Sequence, residues 1–282
     1  MQKRIITIQD ISCVGRCSLT VALPIISAAG IEASILPTAI LSTHTGGFTG
    51  YTFRDLTADI EPIVAHWQSL NLPADAVYTG YLGSSEQQQL IADIFAAYKA
   101  RGSLIFVDPA MADNGELYPA FDNDFALGMR DLCAQADLIA PNLTEATLML
   151  EREYVAEGYD QTYIEDLLHR LSDLGPGQVV LTGVSFAPGL IGAAAFSGAT
   201  GSIDYYFTER IEGYYHGTGD IYSSTLVSAI VNGRSLAEAI RIACDFTYAA
   251  ISRTFQAGTD VKYGVDFEHG LVDLGQLFKD PL

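Results

Sequence analysis

The chain has 282 residues, of which 49% are hydrophobic and 17% charged, a size and balance ordinary for one large α/β domain, so residues 1–282 are read as a single domain with a packed core. Fifteen basic against thirty-four acidic residues give a formal charge of −19, which sets the mean field against nucleic acid, and no apolar run approaches the roughly 18 to 20 residues of a membrane span. Five scattered histidines and four cysteines, Cys13, Cys17, Cys133 and Cys244, without a C-x-x-C pair argue against a zinc helix or a disulfide scaffold and for reduced thiols in the cytoplasm.

The N-terminal MQKRIITIQD passes directly into a β-type run, RIITIQ (4–9), rather than the long apolar segment of an export signal. A helical pattern over residues 18–29 follows, then the strand-like IEASILPT and a polar, glycine-rich stretch at 43–53. Residues 55–70 read as a helix and AVYTGY as a buried strand. The helix expected over 84–101 opens on Ser-Ser-Glu, whose hydroxyls can cap free amides, and stops at Gly102. SLIFVD, DLIAPN and QVVLTG are three more strand candidates, each ending in polar or turn residues. GLIGAAAF and GSIDYYFT, split by turn residues, read as a β-hairpin at a sheet edge.

Strands this apolar, alternating with helices, predict a doubly wound, mostly parallel central sheet with helices on both faces. Ligands of such sheets lie outside the carboxyl ends of the strands. The polar residues of TGYLGS, DPAMAD and APNLTE should therefore meet at one rim.

One segment carries more chemistry than the rest. His216-Gly217-Thr218-Gly219-Asp220 precedes the helix-compatible IYSSTLVSAIV. Small residues at a loop-to-helix junction let backbone N–H groups converge, and the helix dipole adds positive potential there. Asp220 should fall in the first helical turn, where a carboxylate can accept a substrate hydroxyl proton. That arrangement suits phosphoryl transfer, in which positioning and charge stabilisation dominate and a base orients the nucleophile. Gly217-Thr218-Gly219-Asp220 could also form only a tight turn with a helix N-cap. They match neither the Walker loop nor the dinucleotide fingerprint.

Taken together, ITIQD (6–10), STHTGG (42–47), GYLGSSEQ (80–87), DPAMAD (108–113), APNLTEA (140–146) and GTGD (217–220), in this order and at matching intervals, resemble the pyridoxal kinase group of the ribokinase-like superfamily. The resemblance implies a ribokinase-like fold and ATP-dependent phosphorylation of the 5′-hydroxymethyl group of a B6 vitamer: pyridoxal, pyridoxamine or pyridoxine. It implies that Asp220 is the base, and that Gly217, Thr218 and Gly219 form the anion hole. Asp108 and Asp113 match acidic or polar positions near the metal and phosphates, and Asn142 and Glu145 a pair that organises Mg2+ and water there. Thr182 matches a residue near the nucleotide's phosphates. Asp108 and Glu145 are thereby the expected metal carboxylates. Each has a plainer reading, Asp108 as a cap before Pro109, Asn142 and Glu145 as a helix start. Thr45 and Tyr81 match contacts to the pyridine ring, with His44 beside them; Tyr81 could equally fill the core. The resemblance further implies a homodimer, and some relatives use a monovalent cation.

This chain departs from the group's pattern where better-known members have a serine after Ile-Gln: it has Asp10. A carboxylate facing the pocket would favour a protonated ring nitrogen or an aminomethyl ammonium by a charge-assisted hydrogen bond. Alternatively Asp10 caps the next helix and Ser12 points inward. Cys13 or Cys17 could approach a substrate aldehyde, although no activating histidine is evident. Hydroxymethylpyrimidine kinase, or a dual-specificity vitamin kinase, is the nearest alternative activity. A sugar kinase would bring more Asp, Asn or Gln to its polyol, and a non-catalytic vitamer-binding protein would have no use for Asp220.

Overall fold

The computed structural model describes residues 2–279. In chain order the elements are β1 (Arg4–Ser12), α1 (Leu19–Ala28), β2 (Glu32–Leu41), β3 (Phe53–Asp55), α2 (Thr57–Ser69), β4 (Ala76–Thr79), α3 (Ser85–Lys99), β5 (Leu104–Val107), β6 (Ala112–Asp113), β7 (Glu116–Leu117), α4 (Asn123–Cys133) and β8 (Leu138–Ile139). They continue with α5 (Leu143–Met149), α6 (Gln161–Asp173), β9 (Gln178–Val184), β10 (Leu190–Ser197), β11 (Ser202–Glu209), α7 (Thr218–Val231), α8 (Leu236–Ala257) and α9 (Leu271–Lys279).

Nine strands form one sheet in the order β11-β10-β9-β8-β5-β4-β1-β2-β3. The pairs from β2 through β1, β4, β5 and β8 to β9 are parallel, and antiparallel β3 and the β10–β11 hairpin close the two edges. Alternate residues of each central strand enter opposite cores. Ile6, Ile8, Val77, Ile105, Val107, Val179 and Leu181 pack beneath α2 to α6. Ile5, Ala76, Tyr78, Phe106 and Val180 pack beneath α1, α7, α8 and α9. Burial on both faces explains why these strands read as continuous apolar runs.

Local sequence sets the element ends. Ser84 accepts the Gln87 amide at the start of α3, and Gly102 takes φ +88 after its end, as the residue pattern required. Two short features were not expected. β3 takes Phe53 from the end of the polar 43–53 stretch and Asp55 from the start of the helix expected over 55–70, which begins instead at Thr57, and β6–β7 form a separate two-stranded hairpin. Its turn, Asn114-Gly115, has φ 53 and φ 85, the conformation for which an Asn-Gly pair is the strongest local signal. All four cysteines are free thiols, and among the described residues no helix is long and apolar enough to cross a membrane.

Candidate active site

Sheet order locates the site. From β1 the chain first adds β2 on one side, then β4, β5, β8 and β9 on the other, so the carboxyl ends of β1 and β4 flank a topological switch point, where crossover connections leave a crevice. A cleft of about 1110 Å³ opens there. The ends of β1, β4, β5, β8 and β9 supply Asp10 and Ser12, Tyr81, Asp108, Asn142 and Thr182 to its wall. The N-terminus of α7 closes it from the opposite core, with Gly217, Thr218, Gly219 and Asp220 in the lining.

Gly217 caps α7 with φ +77. A Cβ there would meet the Arg16 carbonyl oxygen at 1.9 Å, so both conformation and space demand glycine. Gly219 has nothing within 4 Å of a notional Cβ; its bareness leaves room on the cleft side. Ile221 N–H makes the first intrahelical bond, to Gly217 at 3.1 Å. The preceding amides of α7 are therefore free of helix partners and available to an anion. The Thr218 hydroxyl donates to the Tyr215 carbonyl at 3.1 Å, which turns it back into the loop.

Asp220, the third residue of α7, is half-buried at the rim where the strand-end acids gather, rather than in the packed core. Desolvation pushes its carboxyl up to about 7, Asp10's charge adds to the rise, and the Ser18 amide, donating to it, opposes. A carboxylate poised near neutrality is suited to taking a proton. Asp108 is 8% exposed, and one oxygen accepts the Ser223 hydroxyl at 2.7 Å. Burial raises its carboxyl, and the charge of Asp220 adds to this. Ser223 gave no signal in sequence beyond its place three residues after Asp220, on the same face of a helix.

Asn142 and Glu145 form a reciprocal capping box at the start of α5. Asn142 also donates its side-chain amide to Ala112 O at 2.8 Å, and the two oxygens of Glu145 accept Met111 N–H at 3.1 Å and Asn142 N–H at 2.9 Å. The helix-start reading is thus realised, and the same two residues line the cleft. Glu145 is raised by burial and by Asp108's charge. Asp113, on β6, also lines the cleft and accepts the Tyr214 hydroxyl, whose own pKa burial and Asp113 push up to about 12. Thr182 sits beside Asn142 through a parallel bridge.

Across the cleft, Asp10 is 4% exposed and accepts the Ser12 hydroxyl at 3.0 Å. It does not cap α1, which has no side-chain cap at all. Thr45 is exposed on the cleft wall. Tyr81 lines the cleft with its ring 5.5 Å from that of Phe121, and burial, then Asp10's charge, pushes its hydroxyl up to about 12. His44 is buried with both nitrogens committed to backbone: Nε2–H donates to Lys262 O at 2.6 Å and Nδ1 accepts Gly46 N–H at 3.1 Å. It ties the 42–50 loop to the segment after α8. Of the two candidate thiols, Cys17 lines the cleft and Cys13 does not. Burial and the charges of Asp220 and Asp10 hold the Cys17 thiol well above its ordinary range, so it stays protonated.

The cleft carries six carboxylates, Asp10, Asp108, Asp113, Glu145, Glu209 and Asp220, against one arginine, Arg210. Among the described residues no three His, Cys, Asp or Glu side chains are grouped to hold a metal by themselves. A hard cation that keeps water and phosphate oxygens in its shell needs only one or two carboxylates. Asp108, whose second oxygen accepts no hydrogen bond among the described residues, and Glu145 beside it fit that donor set.

Residues 23–265 match the phosphomethylpyrimidine kinase family. Among known proteins, the chain is 27% identical over 248 residues to the thiamine biosynthesis bifunctional protein of Geobacter sulfurreducens; the match covers 88% of this chain and 49% of that one, so the chain spans about half of that relative's length. Its structure is similar to that of a Bacteroides thetaiotaomicron protein named for phosphomethylpyrimidine kinase and crystallised with pyridoxal, with TM-score 0.91 and 35% identity over 100% of this chain and 97% of that one. It is likewise similar to pyridoxal kinase from Lactobacillus plantarum, with TM-score 0.88 and 32% identity over 98% of each.

Proposed function

We propose that this chain, which belongs to the phosphomethylpyrimidine kinase family, transfers the terminal phosphoryl group of ATP to the 5′-hydroxymethyl group of a B6 vitamer. The fold is ribokinase-like, shared along nearly the whole chain with a pyridoxal kinase. The observation that carries the activity is the placement of Asp220 in the first turn of α7, at the rim where Asp108, Asp113 and Glu145 also end.

In this reading the substrate alcohol lies between Asp220 and the phosphoryl group. Asp220 accepts the hydroxyl proton as the oxygen attacks, and the amides at Gly217 to Gly219 meet the charge that develops on the phosphoryl oxygens. Asp108 and Glu145 would hold Mg2+ through nucleotide oxygens, and the ion would neutralise charge on the phosphates. Ser223 fixes Asp108, and Ser18 fixes Asp220, so both carboxylates are oriented before substrate binds. Tyr81 and Thr45 offer an aromatic wall and a hydroxyl to a flat heteroaromatic ring. ATP brings several negative charges to a cleft with one arginine, which is why a divalent cation is required in this scheme.

A second reading, phosphorylation of hydroxymethylpyrimidine alone or besides the vitamers, is favoured by the family match and by the thiamine-biosynthesis relative. ADP release measured against pyridoxal, pyridoxamine, pyridoxine, hydroxymethylpyrimidine and ribose separates the two. Turnover with a B6 vitamer supports the first reading; turnover with hydroxymethylpyrimidine and none with any vitamer replaces it by the second.

A further inference from the structure

We propose that Asp10 is a specificity-determining residue that selects ring substrates carrying a positively charged nitrogen donor. The inference rests on the vitamin-kinase reading above and adds to it which substrates of that class the pocket prefers.

Asp10 is 4% exposed and lies in the cleft wall at the end of β1. Its side-chain partners are the hydroxyls of Ser12, at 3.0 Å, and Ser18. The titratable groups that face it are His44, Cys17, Tyr81 and Asp220. Cys17, Tyr81 and Asp220 can contribute only neutral or negative forms. His44 is the one that could be cationic, and its two backbone hydrogen bonds require the neutral ring: Nδ1 must accept Gly46 N–H while Nε2–H donates to Lys262 O. No lysine or arginine of the described chain forms an ion pair with Asp10.

A carboxylate this buried and uncompensated is costly unless something supplies charge and a donor. The cleft is the direction from which a ligand can supply it. A protonated nitrogen there would form a charge-assisted hydrogen bond, stronger than a neutral one. The same charge would offset the repulsion between Asp10 and Asp220, and so favour the ionised, proton-accepting form of Asp220. Substrate charge and readiness of the base are thereby coupled through one side chain. An aminomethyl ammonium and a protonated ring nitrogen share this chemistry.

The test compares wild-type, Asp10→Asn and Asp10→Ser on pyridoxamine, pyridoxine and hydroxymethylpyrimidine, whose conjugated amino group is uncharged near neutrality. We expect wild-type kcat/KM to favour the charged substrates, and both variants to lose about 10-fold or more of that preference. Loss confined to pyridoxamine identifies the ammonium as the group read; equal loss on pyridoxamine and pyridoxine relative to hydroxymethylpyrimidine identifies the ring nitrogen. An equal loss on all three, or unchanged ratios, overturns the inference. Inhibition of the wild-type by 4-(aminomethyl)pyridine against benzyl alcohol, which has neither nitrogen, gives a readout that needs no variant to fold: the nitrogen compound should bind about 10-fold tighter, and equal inhibition would also overturn the inference. A wild-type inactive on every ring substrate would instead sink the kinase reading, a result distinct from active enzyme without charge preference.

Discussion

The Ser223 hydroxyl donates to Asp108 at 2.7 Å from a helix whose first turn carries Asp220. One element, α7, therefore carries Asp220, the carboxylate proposed to face the substrate alcohol, and also holds the carboxylate at the end of β5. Ser223→Ala should leave Asp108 buried without its donor. The expected result is a fall in kcat/KM of about 10-fold, with half-saturation shifted to higher Mg2+ concentration, measured by ADP release in a magnesium titration. A variant with the wild-type magnesium profile would show that Asp108 needs no positioning.

Asp220→Asn should lower turnover by about 10²- to 10⁴-fold, the range for loss of a general base, while vitamer binding persists in calorimetry. For the wild-type, kcat/KM should fall as pH drops through about 7, where Asp220 is half protonated, and the Asn variant should lack that limb.

The same carboxylate gives a stability prediction of opposite sense. Its folded pKa is raised above the unfolded value, so between pH 4 and about 7 the native state holds more protons than the unfolded chain. Its contribution to stability accordingly declines as pH rises through that window. Thermal melts of Asp220→Asn should decline less over this range than those of wild-type; parallel curves would contradict the burial described.

Gly217→Ala and Gly219→Ala should part company. At Gly217 the added carbon meets the Arg16 carbonyl and φ is +77, so the melting temperature should drop by roughly 5 °C or more. At Gly219 there is open space, and the variant should melt near wild-type while activity falls at least about 10-fold, because the methyl occupies the cleft beside the free amides.

His44→Ala should loosen the 42–50 loop, since it removes the bonds to Lys262 O and from Gly46 N–H. Limited proteolysis should then cut within that loop, and KM for the ring substrate should rise more than kcat falls. Burial lowers the pKa of His44 from its ordinary value of about 6.5, so the latch is at full strength above that ordinary value and weakens as pH falls from it toward the lowered one.

Much of this molecule was written in local sequence. Apolar strands alternating with amphipathic helices require crossovers that cover both sheet faces, and that alone fixes a mostly parallel α/β fold with its site at the strand ends. Gly217 to Asp220 could be read as an anion-binding helix start or as a plain N-cap turn, and it is the set of six segments in register that favours the first; the Asn114-Gly115 hairpin is equally legible in local sequence. What the one-dimensional order could not hold was distance across the sheet. That Ser18 donates to Asp220, that Ser223 holds Asp108 and that His44 is spent on Lys262 O and Gly46 N–H are contacts between residues up to 218 positions apart, and that Asp10 lies buried without a cationic partner among the described residues is likewise a matter of what the fold brings near it. Such pairs depend on which strands neighbour one another and on how deeply each side chain is desolvated, quantities that exist only once the chain has closed on itself.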